Sequence, residues 1–452
     1  MMCFLNIFSI YSQEIIFTKE IEFNLIFKDT RKSFPVFNEK NGQLALFLFD
    51  SKTINGVLLN KSYVITEEMT TTRPDKKFEE ILGYSIFNES YCLFFSNQAK
   101  NQLFVKTINF QTKKSSEKLI SLNLKNEKFL ESINYNNRFF ILTIEKQSSI
   151  LNIYEFINEN ELNEHEIDLS NFQFSRYSYS KLYNVIISAF PKIQKVQNNQ
   201  IDPIEFSSKK NKLYLINNKM FITLDNQAEN TKIVSVDLDN FNFSVKFFDQ
   251  VRFKDSDTIN IKTNSYLFNN VLYQFKISQN ELCLTLHDLK TDSLLQRFKI
   301  SAEDEIFFKN GPIVQEGGTT LLTSSSEKEI ENTLTVLKKM MSSDIGMSAY
   351  EKGAYIELTI GAFKEVSRTS GSPMASSYTN TRLVYFKSLL DKSTLLHNEG
   401  LVTKNCVDKI KEYSENHKNE ILPGIIIKQN DYYLYGYFMQ LDNNYIIRKF
   451  VD

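Results

Sequence analysis

Tryptophan is absent from this 452-residue chain, and glycine (13), proline (7), cysteine (4) and histidine (4) are all scarce. The cysteines, Cys3, Cys92, Cys283 and Cys406, are widely spaced with no CxxC pair, so neither a zinc site nor a thioredoxin-like motif is supported. Cys92 and Cys283 stand inside apolar strand patterns and read as small core residues. No histidine, among His165, His287, His397 and His417, stands at HxxxH or HxH spacing. GxSxG, P-loop and GxGxxG patterns are missing, and "SGS" at Ser370–Ser372 is loop filler. The acidic turn "DLDN" at Asp237–Asn240 lacks the glycine and distal acid of a calcium loop. No residue is therefore singled out as catalytic, cofactor-binding or metal-ligating, and no cofactor is expected.

Charge of one sign is lacking too. With 53 basic and 54 acidic residues the net charge is −1, which removes the electrostatic argument for a nucleic-acid partner. A local basic patch would survive that average, but nothing in the sequence points to one. Apart from a short apolar start, no stretch approaches 18 apolar residues, so no membrane span is expected, and any membrane association would run through a partner.

Phenylalanine (38) and tyrosine (22) are abundant, as codon bias in an AT-rich genome would make them. Aromatic and β-branched residues at this density favour strands. They are ordered into a repeat. "NESYCLFFSNQAKNQLFVKTINFQTKKSSEKLISL" from Asn88 and "NNRFFILTIEKQSSILNIYEFINENELNEHEIDL" from Asn136 each read turn, strand, turn, strand, turn, strand. "NNKMFITLDNQAENTKIVSVDLDNFNFSVKFF" from Asn217 and "NNVLYQFKISQNELCLTLHDLKTDSLLQRFKI" from Asn269 read the same way. Each follows a further apolar run, which makes a four-stranded antiparallel meander of about 45 residues. Weaker copies begin near Asn41, Lys352 and Gln429. The second turn residues are Gly42, Glu89, Asn137, Asn218, Asn270, Gly353 and Asn430, at intervals of 47, 48, 81, 52, 83 and 77. Three intervals match one period, and three match a period plus about 30 inserted residues. The asparagines suit left-handed tight turns and are not ligands.

This pattern resembles the β-propeller superfamily, in architecture only: there is no WD dipeptide, kelch double glycine or Asp-box. The resemblance implies an all-β fold of about seven four-stranded blades with one or two inserted helices, formed by residues 13–452 as a single domain. Each blade would bury both faces against its neighbours, so inner strands should be apolar on both sides, as Phe139–Leu142 are. The last copy supplies only three strands, 422–428, 431–439 and 443–449. The strand-like segment Ile15–Phe27 would supply the fourth and join the termini in one blade.

Insertions are expected near 188–211, 312–350, 364–380 and 395–420, and function on a repeat scaffold tends to sit in such departures. The first, with Pro191 and Pro203, reads as a loop. In the second, Ser326 and Glu329 form a capping-box pattern ahead of Ile330, Leu334, Leu337 and Met341, an amphipathic stripe. It reads most simply as a helix packed on the propeller, and otherwise as a partner-binding helix. The third, Ser367–Thr381, reads as a long hairpin loop. The fourth carries Val407, Ile410 and Tyr413 on one helical face. Ile330, Leu334, Leu337, Met341, Val407 and Ile410 form the candidate partner surface.

The start, "MMCFLNIFSIYSQ", holds an apolar run, Cys3–Ile10, of signal-peptide length, without a basic leader. Residues 1–12 are read as a truncated signal peptide cut near Ser12, with a first strand as the plainer reading. Cys3 lacks the small residue a lipid-attachment site needs before it. The expectation is a non-catalytic, exported interaction or scaffold propeller in a periplasm or at a cell surface, such as a subunit of an outer-membrane secretion or transport assembly. Two alternatives stay open: a propeller hydrolase with carboxylates converging on the central channel, and a periplasmic ligand-binding sensor with an aromatic pocket.

Overall fold

A computed structural model of the chain describes residues 13–21, 31–174, 181–197, 203–253, 260–317, 327–368, 378–429 and 431–452. Among the described residues the strands form seven sheets. Strand β1 (Gln13–Glu20) belongs to the last of them. Blade one is β2 (Lys32–Phe37), β3 (Leu44–Phe49), β4 (Thr53–Leu59) and β5 (Ile65–Thr72). Blade two is β6 (Glu80–Phe87), β7 (Ser90–Ser96), β8 (Gln102–Asn109) and β9 (Lys114–Ser121). Blade three is β10 (Glu127–Tyr135), β11 (Arg138–Glu145), β12 (Ile150–Phe156) and β13 (Leu162–Asp168). A short helix, α1 (Leu182–Ile187), leads to blade four: β14 (Gln194–Val196), then α2 (Ile204–Ser207), β15 (Asn211–Ile216), β16 (Lys219–Leu224), β17 (Asn230–Asp237) and β18 (Phe243–Asp249). Blade five is β19 (Lys262–Phe268), β20 (Val271–Ile277), β21 (Glu281–Asp288) and β22 (Leu294–Ser301). Blade six holds β23 (Ile313–Gly317), β24 (Lys328–Ile330), α3 (Thr333–Met341), β25 (Asp344–Lys352), β26 (Tyr355–Arg368) and β27 (Tyr378–Asp391). After α4 (Cys406–Asn416), blade seven is β28 (Ile425–Gln429), β29 (Tyr432–Phe438) and β30 (Asn444–Phe450), completed by β1.

The fold is a seven-bladed β-propeller. Apolar clusters shared by neighbouring blades run round the ring, from Leu46 and Ile447 between blades one and seven to Phe94 and Phe139 between blades two and three. Because both faces of a middle strand meet another blade, β3 (LALFLF) and β20 (VLYQFKI) are buried throughout, without alternation. Outermost strands such as β9 (KSSEKLIS) carry the polar residues. The two-residue turns Asn88–Glu89, Asn136–Asn137 and Asn269–Asn270 have φ of +45 to +61° at both positions, the geometry that matches strand twist in a tight hairpin. The ring closes through antiparallel pairing of β1 with β30, from Gln13↔Phe450 to Glu20↔Asn444. The rest of the segment expected to close the ring, and residues 1–12, lie outside the described residues.

Four local expectations need correction. The segment 188–211 is not a plain loop: β14 pairs in parallel with β15, and α2 follows. Blade six takes its fourth strand from upstream, in the order β25-β26-β27-β23-β24 from the inside outward. Residues 312–350 therefore contain sheet as well as helix. The helix begins later than the capping pattern implied. Glu329 and Ile330 are in β24, and Asn332 caps α3 by accepting from the Thr335 amide at 2.8 Å, while Ser326 lies outside the described residues. The expected 367–381 loop is also shorter, since β26 and β27 pair out to Arg368↔Tyr378.

Candidate functional site

In a four-stranded meander with the first strand innermost, the axis is lined by the first strands, and a propeller hydrolase would gather its acids there. Here residues 194–197 and 203–212 stand against the inner strands of blades three to six. Strand β14 adds to the inner edge of blade four, and Lys195 Nζ donates to the Ser132 carbonyl of blade three at 2.9 Å. Helix α2 packs on β25 and β26 of blade six. It can do so because Gly346 and Gly361 have no side chain: a Cβ at Gly361 would lie 2.8 Å from Ile204 Cδ1, and one at Gly346 would lie 2.7 Å from the Ser208 nitrogen. The ammonium of Lys212, fully buried, donates to the Lys209 carbonyl (2.7 Å), Asp225 Oδ2 (3.0 Å) and Asn264 Oδ1 (2.6 Å). Asp225 accepts further from Thr231 Oγ1 (2.8 Å), Ser265 Oγ (2.7 Å) and the Ser265 amide (3.0 Å). Asn264 donates on to the Ser208 and Ile345 carbonyls at 2.8 and 2.7 Å, so the network ties blades four, five and six. Burial works against the Asp225 carboxylate, but Lys212, Lys210 and the two hydroxyls outweigh it and hold its pKa below the usual range.

At the opposite end of the axis the first hairpin turns of blades one and three meet. Asn137 Nδ2 donates to Asn38 Oδ1 (2.9 Å), and the Asn136 amide donates to Glu39 Oε2 (3.1 Å). Burial pushes the Glu39 carboxyl up. It is one acid holding a turn, where glycoside hydrolysis needs a facing pair.

A cavity of about 490 Å³ lies over blade six, bordered by α2. Ser348, Thr359 and Lys387 form one cross-strand row of its floor, and Ile204, Phe363, Leu383 and Val407 supply apolar wall from α2, β26, β27 and α4. Several of its polar groups have partners within the chain. Tyr385 donates to Glu316 Oε1 at 2.6 Å, and burial, followed by that carboxylate, raises the phenol's pKa. Lys387 Nζ lies 2.7 Å from Glu357 Oε1 and 2.9 Å from Asp408 Oδ2. Burial would lower its pKa, but the two carboxylates win and raise it. Helix α4 is fixed by a reciprocal capping box between Asn405 and Asp408, and Asn405 Nδ2 also reaches Glu357 Oε1 at 3.1 Å.

The candidate partner residues do not form one surface. Leu337 (0% exposed), Ile330 and Ile410 are buried, and Met341 packs at the edge of the same core as Leu337. Helix α3 buries Val336, Leu337 and Met340, a stripe rotated from the expected one, and Leu334 is left 40% exposed. Val407 lines the blade-six cavity. The histidines also have structural partners. His165 stacks on Phe241 of the next blade with centroids 3.4 Å apart and contacts Glu155 Oε2 at 3.1 Å. His397 contacts Asn310 Oδ1 at 3.0 Å, His417 Nδ1 meets the Tyr413 carbonyl, and His287 packs edge-on to Phe248. Cys92 and Cys283 are core residues, and burial pushes their thiols up to about 12 and about 11, where they stay protonated.

No protein-family model matches the chain, and no curated protein matches it. Among solved structures, the β-propeller domain of the Trilobed protease from Pyrococcus furiosus aligns over 93% of both chains at 8% identity and a TM-score of 0.35. A variant of the Synechocystis apocarotenoid oxygenase aligns over 60% of this chain at 8% identity and a TM-score of 0.30, and this chain spans 61% of that one. A prolyl endopeptidase aligns over 90% of this chain and 46% of its own, at 8% identity and a TM-score of 0.33. Likenesses of this size carry no argument about chemistry. The propeller is established by the seven sheets themselves.

Proposed function

We propose that this protein is a non-catalytic interaction propeller that holds an extended segment of a protein partner in the blade-six cavity. Export to a periplasm or cell surface, with an outer-membrane secretion or transport assembly as the setting, belongs to the same proposal. The observation that carries it is the inner rim of blades three to six, where residues 194–197 and 203–212 pack and the Lys195 and Lys212 ammoniums are spent on internal acceptors. Asp225, the buried acid of that rim, is tied to Lys212, which speaks against the hydrolase alternative.

The cavity supports the choice of partner. Strand β25 pairs with β26 only as far as Asp344↔Phe363, whereas β26 continues to Arg368. Among the described residues, no strand pairs with 364–368 on the side β25 leaves, beside apolar Phe363 and Leu383, the arrangement an added strand uses for main-chain hydrogen bonds.

The test is native co-purification with Leu383→Asp and Val407→Asp, against Leu119→Asp on the outer strand of blade two as control. One partner retained by the control and lost from both cavity variants is the expected result. A partner indifferent to the cavity variants refutes the assignment, and turnover of glycan or ester substrates by the purified chain would favour the hydrolase.

A further inference from the structure

A second cavity, of about 780 Å³, opens between blades two and three, and its walls are basic. Four separate stretches build it: 98–101 between β7 and β8, 122–130 from the β9–β10 connection into the start of β10, Lys146 after β11, and 190–193 ahead of β14. Among the described residues that line it, five are lysines and one is acidic. The acid, Glu127, is occupied, since its carboxylate accepts from the hydroxyls of Tyr154 (2.9 Å) and Thr143. Lys100 is paired with Glu80. Lys125, Lys128 and Lys192 are exposed, and Lys146 is half-buried, with its ammonium on the Lys125 carbonyl. Four ammoniums around one opening, in a chain of net charge −1, concentrate positive potential at that place.

The rim also carries Phe190, 95% exposed, beside Pro191. Its backbone is anchored on both sides: Asn211 Nδ2 donates to the Ile186 and Lys192 carbonyls at 3.4 and 2.8 Å, and Ile193 is buried. A bare aromatic ring at a cleft mouth is a flat apolar platform. The exposed amides of Gln98 and Asn123 add donors and acceptors on the other lip.

We propose that this cleft binds an anionic polysaccharide, a chain of uronate or sulfated sugars. The ammoniums take the acidic groups, the amides take hydroxyls, and Phe190 covers the apolar face of one sugar ring. Single-stranded nucleic acid fits less well, because its binding uses a series of aromatic platforms for successive bases. In this cleft Phe129, the other aromatic, has the Lys100 ammonium over its ring at 5.6 Å. An acidic peptide would leave Phe190 without a role. The site is separate from the blade-six cavity and does not depend on the reading given to it.

Titration calorimetry tests the assignment with four probes: oligogalacturonate, a heparin-derived oligosaccharide, oligothymidylate and polyglutamate, matched in charge. At least one sugar chain should bind more tightly than the two non-sugar probes, and the two sugars distinguish carboxylate from sulfate. Lys125→Gln with Lys128→Gln should weaken sugar binding at least about tenfold and flatten its salt dependence, because fewer counterions are released. Phe190→Ala should weaken sugar binding about tenfold, as loss of an aromatic stack does, and leave polyglutamate binding unchanged. All three positions are exposed, so the variants should fold. No sugar binding at low salt, sugar binding unaltered by the variants, or tighter binding of oligothymidylate or polyglutamate would each overturn the proposal.

Discussion

Replacing Lys212 by methionine isolates the network that ties blades four, five and six together. Methionine keeps most of the buried stem and removes the ammonium. At the observed 3.0 Å, the Coulomb attraction between Lys212 and Asp225 is about 5–6 kcal/mol at an effective dielectric of about 20. Removing the lysine also relieves its own desolvation, so the net loss is smaller. Asp225 keeps its three contacts to Thr231 and Ser265, but its charge becomes uncompensated in a dry site. A buried pair broken on one side costs about 3–5 kcal/mol, and about 4 is expected here. Lys212→Met with Asp225→Asn should recover at least about 2 of that, since the stranded charge is gone. Urea unfolding followed by circular dichroism supplies the cycle, with hydrogen exchange at the Asp225 amide, which donates to the Lys210 carbonyl, as a local readout. A single variant costing under about 1 kcal/mol would show that the segment is not held against the inner strands by this pair.

Acid should act on the same network. Because the folded pKa of Asp225 is depressed, its contribution is fully present above the unfolded value of about 3.9 and is lost as pH falls through the lower folded one. Wild type should therefore lose stability below about pH 4 more steeply than Asp225→Asn, as read by urea midpoints across pH. Gly361→Ala should cost about 1–3 kcal/mol, since its Cβ would fall 2.3 Å from the Val384 carbonyl oxygen, and should loosen α2, which limited proteolysis would detect. Asn405→Ala should cost about 2 kcal/mol by removing the α4 cap and one donor to buried Glu357, with exchange rising first at the amides of 406–409.

The blades were legible because their signals are local. Turn asparagines, four apolar runs and a period near 47 residues recur within short windows, and unalternated strands such as β11 announce burial on both faces. Blade six was only half legible. Its fourth strand, β23, precedes its first, β25, in the chain, and no local pattern records that order. The stripe Leu334–Leu337–Met341 failed as a surface because helical spacing marks an apolar face without saying that the sheet of blade six would cover it. The role of 188–211 was hidden for a related reason: a segment rich in lysine and asparagine reads as a solvated loop, whereas Lys195 and Lys212 find their acceptors on blades three, four and five.

The basic cleft shows why composition could not have found it. Lys100, Lys125, Lys146 and Lys192 are each unremarkable in sequence, and the average over the whole chain is near zero. Parity brings them together. In an antiparallel four-stranded blade, the second turn and the crossover to the next blade must lie at the same end of the ring, opposite the first and third turns. Residues 98–101 and Lys146 belong to second turns, whereas 122–126 and 190–193 belong to crossovers and 127–130 to the start of β10. The C-terminal ends of β23 and β26 and the start of β27 lie at that end too, which puts the blade-six cavity there, beside α2. In blades two to six the first turns are only two residues long, which leaves little to vary there. Elaboration collects at the other end, where loops from successive blades meet and residues far apart in sequence become neighbours.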